Sequence, residues 1–333
     1  MLTSSRTEDS IVAALAYDEP ILVRVRRARG LTPRIKAFDL ETPDGAPLPP
    51  FTPGAHIKVR IPSPDHGWLS RSYSLTNRSG EGHYQIAVLL EANSTGGSAW
   101  MHTLEEGDDI QIFAPENAFP LHEDAAPALL IAGGIGITPI LCMARELARL
   151  GRPFQLHYAA RTCADMAFAD ELAGMSEAHL YFDDGDRDKG LRLDALLQAH
   201  AGRHAYVCGP TSLIQAVLNQ CEQAGWPQGQ VHYEMFAGAL AQKTDREFEL
   251  ELRQSGVTVR VPPSMTILEA AITQGVFAPF ECRRGECGLC VTPILEGQAD
   301  HRDHYLTEAE HREGRQMCIC VSRSAGGRLV LDL

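Results

Sequence analysis

The sequence predicts a multidomain chain: an antiparallel β-barrel, then an α/β domain on a parallel sheet, then a smaller α+β domain. Three observations carry this. Between Ile21 and Phe119, short apolar runs are broken by clusters such as Pro49-Pro50 and Thr52-Pro53-Gly54, the pattern of many short antiparallel strands. From Pro127 onward, strand-like and helix-like stretches alternate, as in a parallel sheet with crossover helices. After Phe236, a stretch of small and polar residues gives way to a hairpin, a helix and a run of cysteines. The expected boundaries are 18–122 for the barrel, 123–236 for the α/β domain, 237–246 for a linker and 247–333 for the last domain. A chain of 333 residues is long enough for each domain to bury its own core.

In the barrel, Ile21–Val25, His56–Ile61 and Tyr84–Leu90 read as strands. Arg71-Ser72-Tyr73-Ser74 falls at a strand end. An arginine there offers a bidentate fork to a phosphate, and a tyrosine can lie against a planar ring. Gly96-Gly97-Ser98 reads as a Gly-rich turn that opens backbone amides to the same anion, with Ile86-Ala87-Val88 close by in sequence. Taken singly, each of these is also what ordinary packing on a β surface looks like.

In the second domain, Ala128–Ala132 is a continuous apolar run, as a buried parallel strand should be. Gly133-Gly134-Ile135-Gly136 follows, a phosphate cradle at a helix start, with Thr138 as N-cap and Pro139 as first helical residue. The helix runs to Leu150, and further strands are expected at Phe154–Ala159, His179–Phe182, His204–Cys208 and Val231–Glu234. The full dinucleotide fingerprint is absent. Pro139 stands where its third glycine belongs, and Arg161, not an acidic residue, follows the second strand. Cys208-Gly209-Pro210 ends a later strand on the edge where open α/β sheets bind ligands, so Cys208 is either near a nicotinamide ring or a buried structural thiol. Cys142, Cys163 and Cys221 have no such setting.

In the last domain, Phe248–Leu252 and Val257–Val261 alternate as a hairpin. Thr266 and Glu269 form a capping box for a helix ending near Gly275, and Leu329–Leu331 closes the chain as a strand. Cys282, Cys287 and Cys290 are spaced C-x₄-C-x₂-C, with Cys318 and Cys320 further on: the spacing of a plant-type [2Fe–2S] ferredoxin. Three thiolates wrap one side of such a cluster in a tight loop, where Gly285 and Gly288 supply positive φ and close approach. Spacing leaves the fourth thiolate open between Cys318 and Cys320. The competing structural zinc site is disfavoured, because Cys318-Ile319-Cys320 is too tight for the usual zinc loop.

Composition is that of a soluble globular protein, 44% hydrophobic and 22% charged, with no apolar run long enough to span a bilayer. The N-terminus lacks the pattern of a secretory signal, so a cytoplasmic location is expected and the nine cysteines read as ligands and buried thiols rather than bridges. The net charge of −13 argues against nucleic acid and anionic membrane, and fits docking onto a basic patch of a protein partner.

Arg71-x-Tyr73-Ser74, Gly134-x-Gly136-Ile137-Thr138-Pro139 and Cys208-Gly209-Pro210, in that order, resemble the ferredoxin–NADP reductase superfamily. With the cysteine domain at the C-terminal end, and with Asp300-His301-Arg302-Asp303 and the Cys320-Val321-Ser322-Arg323 tail, residues 18–333 resemble its phthalate dioxygenase reductase and vanillate O-demethylase reductase branch. The resemblance implies an FMN barrel, an NADH domain and a β-grasp ferredoxin domain, the domain order implying FMN over FAD. It implies that Arg71 and Ser98, with Ser72, Gly96 and Gly97 around them, hold the flavin phosphate. It implies that Tyr73, Ser74, the Ile86–Val88 backbone, Thr138 and Phe236 contact the rest of the flavin. Gly133, Gly134, Gly136, Arg161, Cys208, Gly209 and Pro210 would line the nicotinamide-nucleotide site. Cys320 becomes the fourth cluster ligand and Cys318 an extra thiol. No acid–base catalytic residue is implied.

Redox stoichiometry gives the expected role. NADH delivers two electrons as one hydride and a [2Fe–2S] centre takes one; a flavin accepts the hydride and releases electrons singly. The expected chain is a monomeric reductase passing electrons from NADH through FMN and the cluster to a Rieske-type oxygenase, its protein partner. Arg161 offers a 2′-phosphate site and hence the NADPH alternative. A haem protein is the alternative acceptor, and a zinc-stabilised nucleotide-binding regulator is the alternative from another class.

Overall fold

The computed structural model describes residues 19–63, 67–91, 97–124, 126–186, 189–236, 244–263, 265–280, 285, 288–303 and 305–333, and the chain divides into two compact units, Met1–Glu234 and Met235–Leu333. The first unit opens with β1 (Ile21–Thr32), β2 (Ile35–Glu41), β3 (His56–Ser63), β4 (Gly67–Ser74), β5 (Tyr84–Leu89), the short helix α1 (Gly97–Thr103) and β6 (Asp109–Ile112). The six strands form one antiparallel sheet in the order β4-β3-β6-β1-β2-β5. Its two outermost strands meet through a Leu75–Ile86 bridge, and the Thr76 N–H donates to the Gln85 carbonyl at 2.8 Å. That contact closes the sheet into a barrel and leaves fewer unpaired edge groups. Alternation sets what fills it: in β1, Val23 and Val25 are buried while Leu22 and Arg24 face solvent. Phe38, Leu40, Ile57, Val59, Ile61, Leu75 and Ile86 complete the barrel core.

One expectation fails here. Gly97 and Ser98 do not belong to an open turn; they begin α1. The physical reason is the missing side chain at Gly97: a Cβ there would stand 3.0 Å from Arg71 Cγ, so glycine lets the first helical turn lie against that arginine.

The second half of this unit runs β7 (Ala128–Gly133), a 3₁₀ turn (Gly134–Gly136), α2 (Ile137–Leu150), β8 (Phe154–Ala160), α3 (Ala169–Ala173), β9 (Ala178–Phe182), α4 (Leu193–Ala199), β10 (His204–Cys208), α5 (Thr211–Gln223) and β11 (Val231–Glu234). Its sheet is parallel throughout, in the order β11-β10-β7-β8-β9. The central strand β7 is buried along its whole length, and α2 covers it with Ile137, Ile140, Leu141, Ala144 and Leu147. The same core takes in Ile35, Ala37 and Ala87 of the barrel and Phe119 of the connection, so barrel and parallel sheet share one apolar interior. Helix α2 starts before the expected cap. Gly136 is its N-cap residue, without a side-chain cap, and Thr138 is already helical, its hydroxyl donating to the Ile135 carbonyl at 3.0 Å. At the other end Gly151 takes a left-handed φ of 63°, as helix-terminating glycines do.

The second unit contains β12 (Phe248–Leu252), β13 (Val257–Val261), α6 (Ile267–Thr273), β14 (Val291–Glu296), β15 (Ala299–Asp300), α7 (Glu308–Glu313), β16 (Gln316–Cys318), β17 (Arg323–Ser324) and β18 (Arg328–Leu331). The main sheet is ordered β13-β12-β18-β14-β16, with β12 and the last strand β18 parallel and α6 packed into its core: the β-grasp arrangement. The capping box forms as the sequence reads, with Glu269 N–H donating to Thr266 Oγ1 at 3.1 Å and Thr266 N–H to Glu269 Oε2 at 2.8 Å. Residues 237–243 of the expected linker lie outside the described residues. Asp245, at its end, is buried in this unit, where Arg302 grips it with both terminal nitrogens and Arg323 lies 3.8 Å away. The fold class read from the sequence is the one present: antiparallel barrel, parallel α/β sheet and β-grasp domain.

Candidate cofactor and electron-transfer site

Strand alternation puts Arg71 and Tyr73 on one face of β4 and Ser72 and Ser74 on the other. Burial pushes the Tyr73 phenol above its usual range, against the pull of the neighbouring Arg71. The Arg71 guanidinium donates to the Ser70 carbonyl at 2.8 Å and crosses the start of α1, where Gly97 leaves room for it. Ser98 Oγ accepts from the Glu91 N–H at 3.1 Å, which ties the start of α1 to the residue two positions past β5. Ser72 is exposed and Ser74 buried. Ile86, Ala87 and Val88 are all buried on β5, with Ala87 in the shared core and the Val88 carbonyl 2.9 Å from His102 Nε2. Thr138 is buried too, its hydroxyl donating back to the Ile135 carbonyl of the preceding 3₁₀ turn. Gly96 lies outside the described residues, and Phe236, two residues beyond β11, is exposed and counted with the second unit.

The two glycine motifs of the α/β domain are one construction. Strands β7 and β10 are parallel neighbours with Ala132 paired to Cys208, so both motifs emerge at the same edge of the sheet. A Cβ on Gly136 would lie 2.3 Å from the Cys208 carbonyl oxygen and 2.5 Å from Gly209 N. One on Gly133 would lie 2.8 Å from Pro210 Cδ, and one on Gly209 would lie 3.0 Å from Gly133 Cα. The turns therefore interlock backbone against backbone. Only Gly134 differs: its φ is +53° and its missing Cβ faces open space. Cys208 is fully buried in the shared core. Arg161 is exposed just past β8, its carbonyl accepting from the Asp184 N–H at 2.8 Å.

Of the cysteine loop, Cys282 and Cys287 lie outside the described residues. The glycines between the cysteines are informative. Gly285 and Gly288 have φ of +74° and +73°, and neither has space for a side chain. A Cβ on Gly285 would lie 2.7 Å from Val321 Cγ2 and 2.9 Å from Asp303 Cα; one on Gly288 would lie 2.2 Å from the Tyr305 ring. Gly285 is thus drawn tightly against Val321, the residue after Cys320, as a loop wrapping a cluster requires. Cys290, Cys318 and Cys320 are all buried. The Cys318 thiol is hydrogen-bonded to Cys290 and buried, and is held far above the usual thiol range. Cys318 therefore stands closer to the loop than an unrelated extra thiol would. These residues fit an iron–sulfur cluster.

Reading the sequence missed two groups. His301, Asp303 and His311 come together beside the cysteine loop, with His311 Nε2 3.2 Å from Asp303 Oδ2 and the two imidazoles stacked at 4.3 Å. The quoted Asp300-His301-Arg302-Asp303 run was the available signal. His122, Asp124 and His204 converge at the opposite edge of the parallel sheet from the glycine turns, and their sequence separation gave none.

The chain matches two family descriptions: a 2Fe-2S iron–sulfur cluster binding domain over residues 250–325, and the N-terminal domain of the DmmA-like dimethylamine monooxygenase subunit over residues 115–231. It is 42% identical over 297 residues to vanillate O-demethylase oxidoreductase of Pseudomonas sp. strain HR199, covering 87% of this chain and 92% of that protein. The solved structure of phthalate dioxygenase reductase, described as a modular structure for electron transfer from pyridine nucleotides to [2Fe–2S], superposes with a TM-score of 0.68 at 38% identity, covering 95% of this chain and 98% of the other. A structure of an intact type IV self-sufficient cytochrome P450 monooxygenase is 34% identical with a TM-score of 0.64, covering 94% of this chain and 41% of that one. Among the described residues no helix is long and apolar enough to cross a membrane. The shared edge of glycine turns, the Arg-x-Tyr strand and the cysteine loop thus occur in one chain with near full-length similarity, and the chain belongs to the oxygenase-reductase family of oxidoreductases that includes vanillate O-demethylase oxidoreductase and phthalate dioxygenase reductase.

Proposed function

We propose that this chain passes electrons from NADH through FMN and a [2Fe–2S] cluster to a Rieske-type oxygenase, acting as a cytoplasmic monomer. The observation that carries the reading is the cysteine loop, whose glycines adopt positive φ with no room for a Cβ, in a chain similar along its length to oxygenase reductases. When bound, the flavin accepts a hydride and releases electrons one at a time, and the cluster takes them singly. Arg71 supplies a charged fork for the flavin phosphate, and the room Gly97 leaves keeps that fork at the start of α1 beside Ser98. Tyr73, Ser74 and the backbone of Ile86–Val88 hold the rest of the flavin. The interlocked turns of Gly133–Gly136 and Cys208–Pro210 fix the floor of the nucleotide site, and Gly134 opens its backbone to the pyrophosphate. Cys282, Cys287, Cys290 and Cys320 ligate the cluster. Arg161 follows β8, the position at which a 2′-phosphate would be read; we assign NADH as the donor on the similarity to the oxygenase reductases.

Anaerobic titration tests this. NADH should bleach flavin and iron–sulfur bands, with kcat/KM for NADH above that for NADPH, and reduced protein should reoxidise on adding a Rieske oxygenase. A colourless, zinc-loaded protein would end the proposal. The match to a cytochrome P450 monooxygenase favours one second reading, a haem protein as acceptor. Turnover with a P450 in place of the Rieske oxygenase distinguishes the two.

A further inference from the structure

At the edge of the parallel sheet away from the glycine turns, the connection between barrel and β7 meets the start of β10. Asp124 Oδ2 lies 3.0 Å from His204 Nε2 and 3.3 Å from His122 Nδ1, and the three donor atoms lie within 4.8 Å of one another. A tetrahedral zinc-type ion with ligands at about 2.0–2.1 Å sets its donors roughly 3.4 Å apart, close to this spacing.

The surroundings hold these groups in place. Asp124 Oδ1 accepts from the Ala126 N–H at 3.2 Å, which turns Oδ2 toward the two imidazoles. Arg152 donates to the backbone carbonyls of both His122 and Asp124, and the His122 N–H donates to the Tyr206 hydroxyl at 2.8 Å. His122 stacks on His204 at 4.4 Å, and His204 Nδ1 lies 2.8 Å from His232 Nε2. His204 is buried, whereas His122 and Asp124 are each about half exposed at the side chain (48% and 46%), so an ion can enter and keep water.

The His204–His232 contact admits two proton arrangements. In one, His232 donates to His204, and His204 donates to Asp124. In the other, His204 Nδ1–H donates to His232, and its Nε2 lone pair faces the Asp124 carboxylate. That second arrangement is repulsive alone and becomes favourable once a cation lies between them. It is also how metal-bound histidines are held, by a hydrogen bond from the other ring nitrogen.

We propose that His122, Asp124 and His204 bind one divalent transition-metal ion of the zinc class, with His232 orienting His204. Such an ion fastens the segment between the barrel and the parallel sheet to β10, a stabilising role separate from the electron path. To test it, the holoprotein, with cluster and flavin bound, is titrated with Zn²⁺ against a chromophoric chelator, and zinc and iron per chain are counted. His122→Gln and Asp124→Asn, both at half-exposed positions, are compared with the wild-type chain, and His179→Gln, on β9 at the far edge of the sheet, serves as a control. Wild-type and control chains should hold one zinc alongside their iron, with affinity on the order of tenfold or more above either variant. Zinc should raise the melting temperature of the wild-type chain and of neither variant. Equal zinc affinity in all four proteins, including zinc that enters the cysteine loop at the expense of iron, overturns the proposal.

Discussion

Gly136→Ala tests the interlocked turns directly. Its new methyl would lie 2.3 Å from the Cys208 carbonyl oxygen, 2.4 Å from the carbonyl carbon and 2.5 Å from Gly209 N. Ordinary non-bonded contact begins near ~3.5 Å, so about 1 Å of separation is needed. No flexible side chain is available to give way. Both partners are backbone, tied into the β7–β10 ladder through the Ala132–Cys208 pair. Overpacking of this kind costs typically 1–3 kcal/mol, and with backbone on both sides about 3 kcal/mol is expected. That corresponds to a fall in Tm of roughly 6–12 °C for a unit of this size. Gly134→Ala is the internal control: its φ of +53° strains an alanine by about 1–2 kcal/mol, but its Cβ meets nothing within 4 Å. The assay is thermal unfolding of both holoprotein variants followed by flavin fluorescence, with NADH titration of the folded fraction. A Gly136→Ala protein that melts within ~2 °C of wild type, or no lower than Gly134→Ala, would refute the reasoning.

Three further outcomes are expected. Cys320→Ser should lose the iron while NADH still reduces the flavin, and Cys318→Ser should keep the iron but melt earlier, because a buried thiol beside Cys290 is replaced by a hydroxyl; iron analysis showing the reverse pattern makes Cys318 the ligand. Asp245→Asn takes the shared carboxylate from the buried Arg323 and from the partly buried Arg302, which keeps Asp300, and should destabilise the second unit by about 3 kcal/mol in urea melts of the holoprotein, whereas a loss under ~0.5 kcal/mol would show the pairing to be idle. His157 is pushed down to about 4 by burial and by His179, His200 and Arg203, so between pH 6.5 and 4 the unfolded chain binds the extra proton and stability falls as pH falls. From pH 7 to pH 5 that amounts to about 2 kcal/mol. His157→Asn should flatten this limb, and an unchanged slope in urea midpoints would count against it.

What was legible in the sequence follows from what is local. The β7 run and the Thr266–Glu269 box announce themselves, because burial on both faces demands consecutive apolar residues and a cap needs only neighbours. The start of α2 was displaced because Thr138 has a cap's chemistry, whereas the helix is begun upstream by glycine packing against a turn some 70 residues away. Helix α1 was missed for a related reason: Gly97 looks like a turn residue until Arg71 is seen lying across it. Asp245 sits in a stretch with a linker's composition, and only its distant arginines show it to be part of a domain. At the site, residue types that fit the chemistry could be named from spacing. That Cys318 approaches Cys290 required the pairing of β14 with β16.

The Asp245 clasp bears on how such a domain is passed between proteins. Its anion comes from the residues that lead into the domain, and its two cations come from Arg302 and Arg323, far along the same unit. A gene fusion or excision that joins new sequence at Glu247, after the last residue that looks expendable, would transfer both guanidinium groups without the carboxylate they share, leaving Arg302 to Asp300 alone. The heritable module therefore begins before Asp245, and recombination events that respect that junction are the ones expected to yield a folded electron carrier in a new domain order.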